Sequence, residues 1–121
     1  MAALSDTFKI VYKILPRAEW EGAVEAGTYA GSADDLRDGF VHLSAATQLA
    51  GTAAKYFHGK SDLVLVAFQA EDLGPALKWE PSRGGELFPH LFSDLPADKA
   101  VAVYELPLGD DGVPLIAGGL L

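Results

Sequence analysis

The segment Asp62-Leu63-Val64-Leu65-Val66-Ala67-Phe68-Gln69 is the feature that most restricts how this chain can fold. Its interior is apolar at every position and shows no alternation of apolar and polar residues. A strand of this kind is typically covered on both faces, because a half-exposed strand alternates. The segment therefore predicts a central strand with a packed layer on each side.

The other elements indicate a single α+β domain over residues 1–121. A buried strand is predicted at Phe8–Leu15, followed by a helix from Pro16 to Ala26 that ends at Gly27. The polar stretch Thr28–Asp38 is predicted to be a surface loop. A second helix is predicted from about Ala45 to His58, with Ser44 as its N-cap. Further strands are predicted at Gly39–Ser44, Leu77–Glu80, Glu86–Phe92 and Lys99–Leu106, and an edge strand at Val113–Ala117.

About six strands and two helices, both helices in the first half, are typical of the α+β class. Trp20 and Trp79 lie in local apolar patterns, and we interpret both as packing anchors rather than ligand platforms.

Charge and composition narrow the classes of function. Acidic residues outnumber Lys and Arg by 17 to 9, for a formal net charge of −8, so we expect no general binding of nucleic acid. A small anionic ligand held by a few converging cations is compatible with this charge. The chain has no cysteine, no apolar run long enough to span a bilayer and no recognisable signal peptide. We expect a cytoplasmic protein that does not bind membranes.

His42 is the residue that most needs an explanation, because it lies inside an apolar strand. A buried imidazole without hydrogen-bond partners costs on the order of 1–3 kcal/mol. His42 is therefore either a core histidine with satisfied nitrogens or a site residue held at a strand end. His58 is interpreted as an exposed cation at a helix end, outside any site.

Candidate site residues follow from the polar positions at predicted strand ends, and we expect several of them to line one concavity. The Gly84-Gly85 pair beside them is either a plain turn or part of a loop that closes on a ligand. No metal-binding, phosphate-loop or hydrolase motif is present, so no metal is expected. The candidates are Lys13, His42, Ser44, Arg83, Glu86 and His90.

Several of these segments together resemble the uncharacterised bacterial family known as domain of unknown function 952, over about residues 10–103. That family is similar to the ADP-ribosyltransferase-like fold, which implies a split or strongly bent, mostly antiparallel sheet with a nucleotide cleft. Residues 104–121 would then form a C-terminal strand or hairpin and a tail. The matching segments are Val11-Tyr12-Lys13-Ile14, Trp20 with Gly27-Thr28-Tyr29, Gly39–Ser44, Trp79-Glu80-Pro81 and Gly85–Leu91.

The resemblance also implies roles for the candidate residues. The ligand would be NAD or an ADP-ribose-like nucleotide. His42 would contact its ribose or nicotinamide, and Lys13 and Arg83 would contact its pyrophosphate. Glu86 would stabilise an oxocarbenium-like centre, with His90 as its rival. Lys13 stands where family members usually have a histidine, and Phe92 where a tyrosine is expected.

Three functional hypotheses remain open from the sequence. The first is a nucleotide site in a cleft lined by His42 and the Gly84–Phe92 loop, with or without transfer of an ADP-ribosyl group. The second is a non-enzymatic module that keeps the cleft for a small ligand or a protein. The third is an interaction domain, a monomer or weak homodimer, whose apolar tail (Val113–Leu121) packs on a second copy.

Overall fold

The computed structural model describes residues 9–116, except for the side chain of Arg83. The helices in this part of the chain are α1 (Arg17–Ala26), α2 (Ala33–Asp38), α3 (Leu49–Tyr56) and α4 (Ala70–Leu73). The strands are β1 (Ile10–Pro16), β2 (Thr28–Tyr29), β3 (Val41–His42), β4 (Ser44–Ala45), β5 (Leu63–Gln69), β6 (Leu77–Pro81), β7 (Leu87–Leu91), β8 (Leu95–Pro96) and β9 (Ala100–Leu106).

The largest sheet has the strand order β4-β1-β5-β9, and each strand pairs antiparallel with the strand beside it. Strand β5 is central, and its side chains enter two separate cores. The first core contains Val64, Val66 and Phe68, and the second core contains Leu63, Leu65 and Ala67. The prediction of a central strand covered on both faces is therefore confirmed.

A smaller sheet has the strand order β3-β7-β6, and one of its faces carries the histidines of the candidate site. Val41 pairs with Leu91, and His42 pairs with His90. Since successive side chains of a strand point to opposite faces, the side chains of these two pairs lie on opposite faces of the small sheet. Val41 and Leu91 enter the first core, whereas His42 and His90 line a cavity. Strands β2 and β8 form a separate antiparallel pair.

The predicted surface loop at Thr28–Asp38 is wrong. This stretch contains strand β2 and helix α2, whose N-cap Ser32 accepts a hydrogen bond from the backbone of Asp35. The predicted strand Gly39–Ser44 is divided, because β3 and β4 belong to different sheets.

The second predicted helix also begins later than expected. A single 3₁₀ turn at Ala46–Gln48 precedes α3, and Gln48 is the residue that precedes the α-helix. The side chain of Ser44 instead bonds the hydroxyl of Thr52, so Ser44 is not the N-cap.

Other predicted boundaries held more closely. Helix α1 ends at Gly27, in the left-handed conformation expected of a C-terminal glycine. The predicted edge strand at Val113–Ala117 is reduced to one bridge between Leu108 and Pro114, and Ala117 lies outside the described residues. So does Phe8, the predicted start of β1. The class is α+β with antiparallel sheets, as expected. Within residues 9–116, no helix is long and apolar enough to cross a bilayer.

The tryptophans give a direct test of this packing. Trp20 is 7% exposed and contacts Phe68 edge-on, with ring centroids 6.4 Å apart. Trp20→Ala should lower the free energy of unfolding by about 3–5 kcal/mol, because it opens a cavity in the first core. Trp79 is only partly buried, with the ammonium of Lys9 4.0 Å above its ring.

We therefore expect Trp79→Ala to be the milder substitution, and it serves as the control. Urea denaturation of both variants would measure the difference. Equal midpoints would show that Trp20 does not anchor α1 to the central sheet.

Candidate functional site

The candidate site is a cavity of about 160 Å³ between α2, the first strand of the large sheet and the open face of the small sheet. Four of the residues predicted from sequence line it: Lys13, His42, Ser44 and His90. His42 and His90 face the same side of the small sheet, with ring centroids 5.7 Å apart. The cavity therefore brings together two imidazoles, an ammonium and a hydroxyl.

Glu86, a further predicted site residue, does not line this cavity. Glu86 is exposed and accepts a hydrogen bond of 2.7 Å from the side-chain amide of Gln48, which fastens it beside the strand end. The predicted placement of Glu86 in the cleft is therefore wrong. From the predicted Gly84–Phe92 loop, only Phe88 and His90 line the cavity, and most of that segment is strand β7. The side chain of Arg83 lies outside what the structure describes.

Asp35, which was not among the candidates predicted from the sequence, is the centre of the site. Its side chain is almost fully buried although it lies on the short, polar helix α2. One carboxylate oxygen accepts from Lys13 Nζ at 2.8 Å and from the Ser32 amide at 2.9 Å. The other accepts from the His42 amide at 3.0 Å and contacts His42 Nδ1 at 2.6 Å.

These contacts determine the charge of Asp35. Burial would by itself raise the pKa of this carboxyl group, but the hydrogen bond from His42 and the charge of Lys13 outweigh burial and lower the pKa well below its usual range. Asp35 is therefore ionised throughout the neutral range. Lys13 also donates to the His42 carbonyl at 3.0 Å, so two of its three ammonium hydrogens are used within the protein.

The ring of His42 lies between two carboxylates. Nδ1 contacts Asp35, and Nε2 is 3.0 Å from Asp38, which also bonds Arg37 on the surface. Carboxylates only accept hydrogen bonds, so both contacts are hydrogen bonds only when the ring carries a proton on each nitrogen. The site thus contains a continuous chain of polar contacts that runs from buried Lys13 through Asp35, His42 and Asp38 to exposed Arg37.

His90 has a different arrangement. Its Nδ1 contacts Glu80 at 2.8 Å, which selects the tautomer that donates from Nδ1 and leaves Nε2 as an acceptor. His90 is 5% exposed and lines the cavity, and among the described residues no buried side-chain nitrogen or oxygen lacks a partner. Nε2 therefore reaches the cavity surface. The ring of Phe40 stacks on His90 at 4.0 Å and contacts His42 at 4.5 Å, which fixes both imidazoles.

This arrangement can hold hydrogen-bonding groups and move a proton, but it offers little free positive charge. Lys13 is paired with Asp35, and Arg37 is paired with Asp34 and Asp38. In the described part of the chain, no group of three or more His, Asp or Glu side chains is arranged to hold a metal ion.

Sequence reasoning missed Asp35, Asp38 and Glu80. One local signal was available for Asp35, because Ser32 and Asp35 have the spacing of a capping box, which predicts a helix start. Its burial had no local signal, since that depends on contacts with residues 22 positions before it and 7 after it. Glu80 meets His90 only through the pairing of β6 with β7.

The depressed pKa of Asp35 predicts an acid-labile fold. Because the folded pKa lies below the unfolded value of about 3.9, Asp35 stabilises the protein above that pH and the stabilisation is lost as the pH falls. At pH 7, Asp35→Asn should lower the free energy of unfolding by about 3–5 kcal/mol, since Lys13 is left buried and unpaired. Denaturant midpoints measured from pH 7 to pH 3 should decline more steeply for the wild type than for Asp35→Asn.

Glu105→Gln is the matched control. The pKa of Glu105 is also lowered, chiefly by Arg17, but Glu105 is exposed and Arg17 only half-buried, so we expect a small change in stability. An Asp35→Asn profile identical to that of the wild type would mean that Asp35 is not ionised against Lys13 in the native protein.

Comparisons with known proteins identify relatives of this chain. The model of the family described as "Protein of unknown function (DUF952)" matches residues 14–103. The X-ray crystal structure of protein CC0527 from Caulobacter crescentus is 51% identical, with a TM-score of 0.89, and the match covers 92% of this chain and 97% of that one. The solution NMR structure of CC0527 is 53% identical, with a TM-score of 0.78, and the match covers 87% and 90% of the two chains.

A search of curated proteins gave no match. The family model nevertheless covers most of the chain, including β5, β7 and the cavity residues from Ser32 to His90. This protein belongs to the DUF952 family.

Proposed function

We propose that the cavity binds the ribosyl part of NAD or of an ADP-ribose-like nucleotide. The observation that supports this most is the pair of imidazoles at 5.7 Å, each fixed at Nδ1 by a carboxylate. A ribose presents neighbouring hydroxyl groups that both donate and accept hydrogen bonds. His90 Nε2 as an acceptor, and His42 Nε2–H as a donor once it exchanges its contact with Asp38 for a ligand oxygen, complement such a pair. The hydroxyls of Ser44 and Thr52 also line the cavity.

The size of the cavity limits how much of the ligand it encloses. An apolar cavity of about 150 Å³ holds one benzene molecule, so a cavity of about 160 Å³ encloses one ring-sized group. Complete ligand pockets are usually about 300–1,000 Å³. We therefore place only the sugar inside and the rest of the nucleotide at the mouth.

Charge suggests which residues would meet the phosphates. Lys13 donates to Asp35 and to the His42 carbonyl, so we propose that it acts on the ligand through Asp35 and His42 rather than as the pyrophosphate contact inferred from the sequence. Arg37 is exposed, and its bonds to Asp34 and Asp38 are surface ion pairs, which contribute little. We propose that Arg37 exchanges these partners for phosphate oxygens. Arg83 remains a prediction for the same role.

A second candidate, a binding module without transfer chemistry, is favoured by the position of Glu86. Ribosyl transfer needs negative charge beside the carbon that becomes cationic. Glu86 is bonded to Gln48 outside the cavity, and all the carboxylate oxygens of Asp35 are occupied. Binding with weak or absent turnover is therefore the expected behaviour.

Binding can be tested by ligand-observed NMR with NAD, ADP-ribose and a 2′-phosphorylated nucleotide. We expect binding by at least one of these ligands, and His90→Gln or His42→Ala should weaken it at least tenfold, about 1.4 kcal/mol. His58→Ala is the control, because His58 is exposed and contacts the Asp111 carbonyl away from the cavity. Equal loss in all three variants would place the site elsewhere, and the absence of any binding would remove the nucleotide proposal.

Turnover separates the two candidates. NAD glycohydrolase and transferase assays on the wild type and on Lys13→His test whether the lysine at this position suppresses chemistry. We expect no robust turnover by the wild type, because Lys13 stands where a histidine is usual and would misplace the ribose. A misplacement of about 1 Å can lower a rate on the order of a hundredfold. Efficient turnover by the wild type would refute the binding module.

A further inference from the structure

We propose that helix α2 is a lid over the cavity, held closed by polar contacts alone, and that Asp35 is the latch. Only Asp35 is buried among the residues of α2. Leu36, the one large apolar side chain of the helix, is 67% exposed. The lid therefore contributes no apolar side chain to either core, and opening it would leave both cores intact.

The helix forms one wall of the cavity. Ser32, Asp34, Asp35, Arg37 and Asp38 all line it, opposite Tyr12, Ser44 and Thr52 of the large sheet and α3. Asp35 also lines a second cavity of about 230 Å³, together with Leu36 and Phe40. Asp35 thus borders both spaces, and displacement of α2 would open the first cavity along this wall.

The latch consists of groups that exchange readily with water. Asp35 bonds Lys13 on β1 and His42 on β3, and Asp38 contacts the same imidazole. Hydrogen bonds to protein can be replaced by hydrogen bonds to water when a segment opens, so a polar latch releases without exposing apolar surface. An apolar anchor would lack this property.

Glycines with positive φ stand on both sides of the lid. Gly31 has φ of 120° and Gly39 has φ of 88°. A β-carbon on Gly31 would lie 2.7 Å from the β-carbon of Asp35, so only glycine allows the carboxylate to close against the loop. These positions at the ends of the helix are where a hinge motion would be absorbed.

The lid also positions His42. When α2 is closed, Asp35 and Asp38 hold both ring nitrogens, and the ring direction is fixed relative to His90. When α2 opens, the ring loses both carboxylates. Asp35 is thus a positioning residue for whatever ligand His42 contacts, and this inference does not depend on the identity of that ligand.

Hydrogen exchange of individual amides measured by NMR tests the lid on the wild-type protein. The His42 amide donates to Asp35 Oδ1 and therefore reports on closure, whereas the Leu36 amide donates to the Ser32 carbonyl within the same helix and reports on unwinding of α2 itself. The Val66 amide in central strand β5 is the reference for global unfolding. We expect the His42 amide to have a protection factor at least tenfold lower than that of Val66. Equal protection would show that α2 opens only when the whole domain unfolds, and would overturn the proposal.

Two substitutions distinguish a polar latch from apolar docking. Asp38→Ala removes one latch contact and raises intrinsic helix propensity, so faster exchange of the His42 amide would come from the latch and not from a weaker helix, whose integrity the Leu36 amide reports. Leu36→Ala is the matched control on the same helix. We expect at least threefold faster exchange of the His42 amide in Asp38→Ala and no change in Leu36→Ala. The reverse pattern would show that Leu36 holds the helix, and would refute the latch.

Discussion

The buried ion pair of Lys13 and Asp35 connects three parts of the chain that would otherwise have little reason to meet. Lys13 lies on β1, Asp35 on α2, and both bond His42 on β3. A buried ion pair adds little net stability, because desolvation opposes the attraction. Its effect here is on specificity, since the two charges pair only when α2 lies against β1 and β3. Removing either partner leaves a charge buried alone.

The parts of the fold that sequence reasoning predicted are those whose cause is local. The uninterrupted apolar run of β5 requires cover on both faces, and the two cores that contain its side chains supply it. Helix α1 follows from Pro16 at its start and Gly27 at its end, with Trp20 facing the sheet. In each case the residues of one segment carry enough information to determine its structure.

The parts that escaped prediction depend on distant partners. Helix α2 has no apolar stripe, so its sequence shows no helical periodicity and resembles that of a loop. Only the capping-box spacing of Ser32 and Asp35 indicated a helix. The division of Gly39–Ser44 between two sheets follows from the pairing of β3 with β7 and of β4 with β1. The sequence placed His42 and His90 at strand ends, but their carboxylate partners emerge only from the tertiary structure.

The alternation of strands β3 and β7 explains why the core and the candidate site are inseparable. Two pairs of residues stand next to each other on these strands. Val41 and Leu91 point into the first core, whereas His42 and His90 point into the cavity. A shift of register by one residue would exchange the two sets, burying imidazoles in the core and exposing leucine and valine. The apolar pair thus fixes the register, and the register brings the two imidazoles next to each other in an edge-on arrangement. What remains adjustable is the polar side, where α2 alone decides whether His42 is held between carboxylates or faces an open cleft.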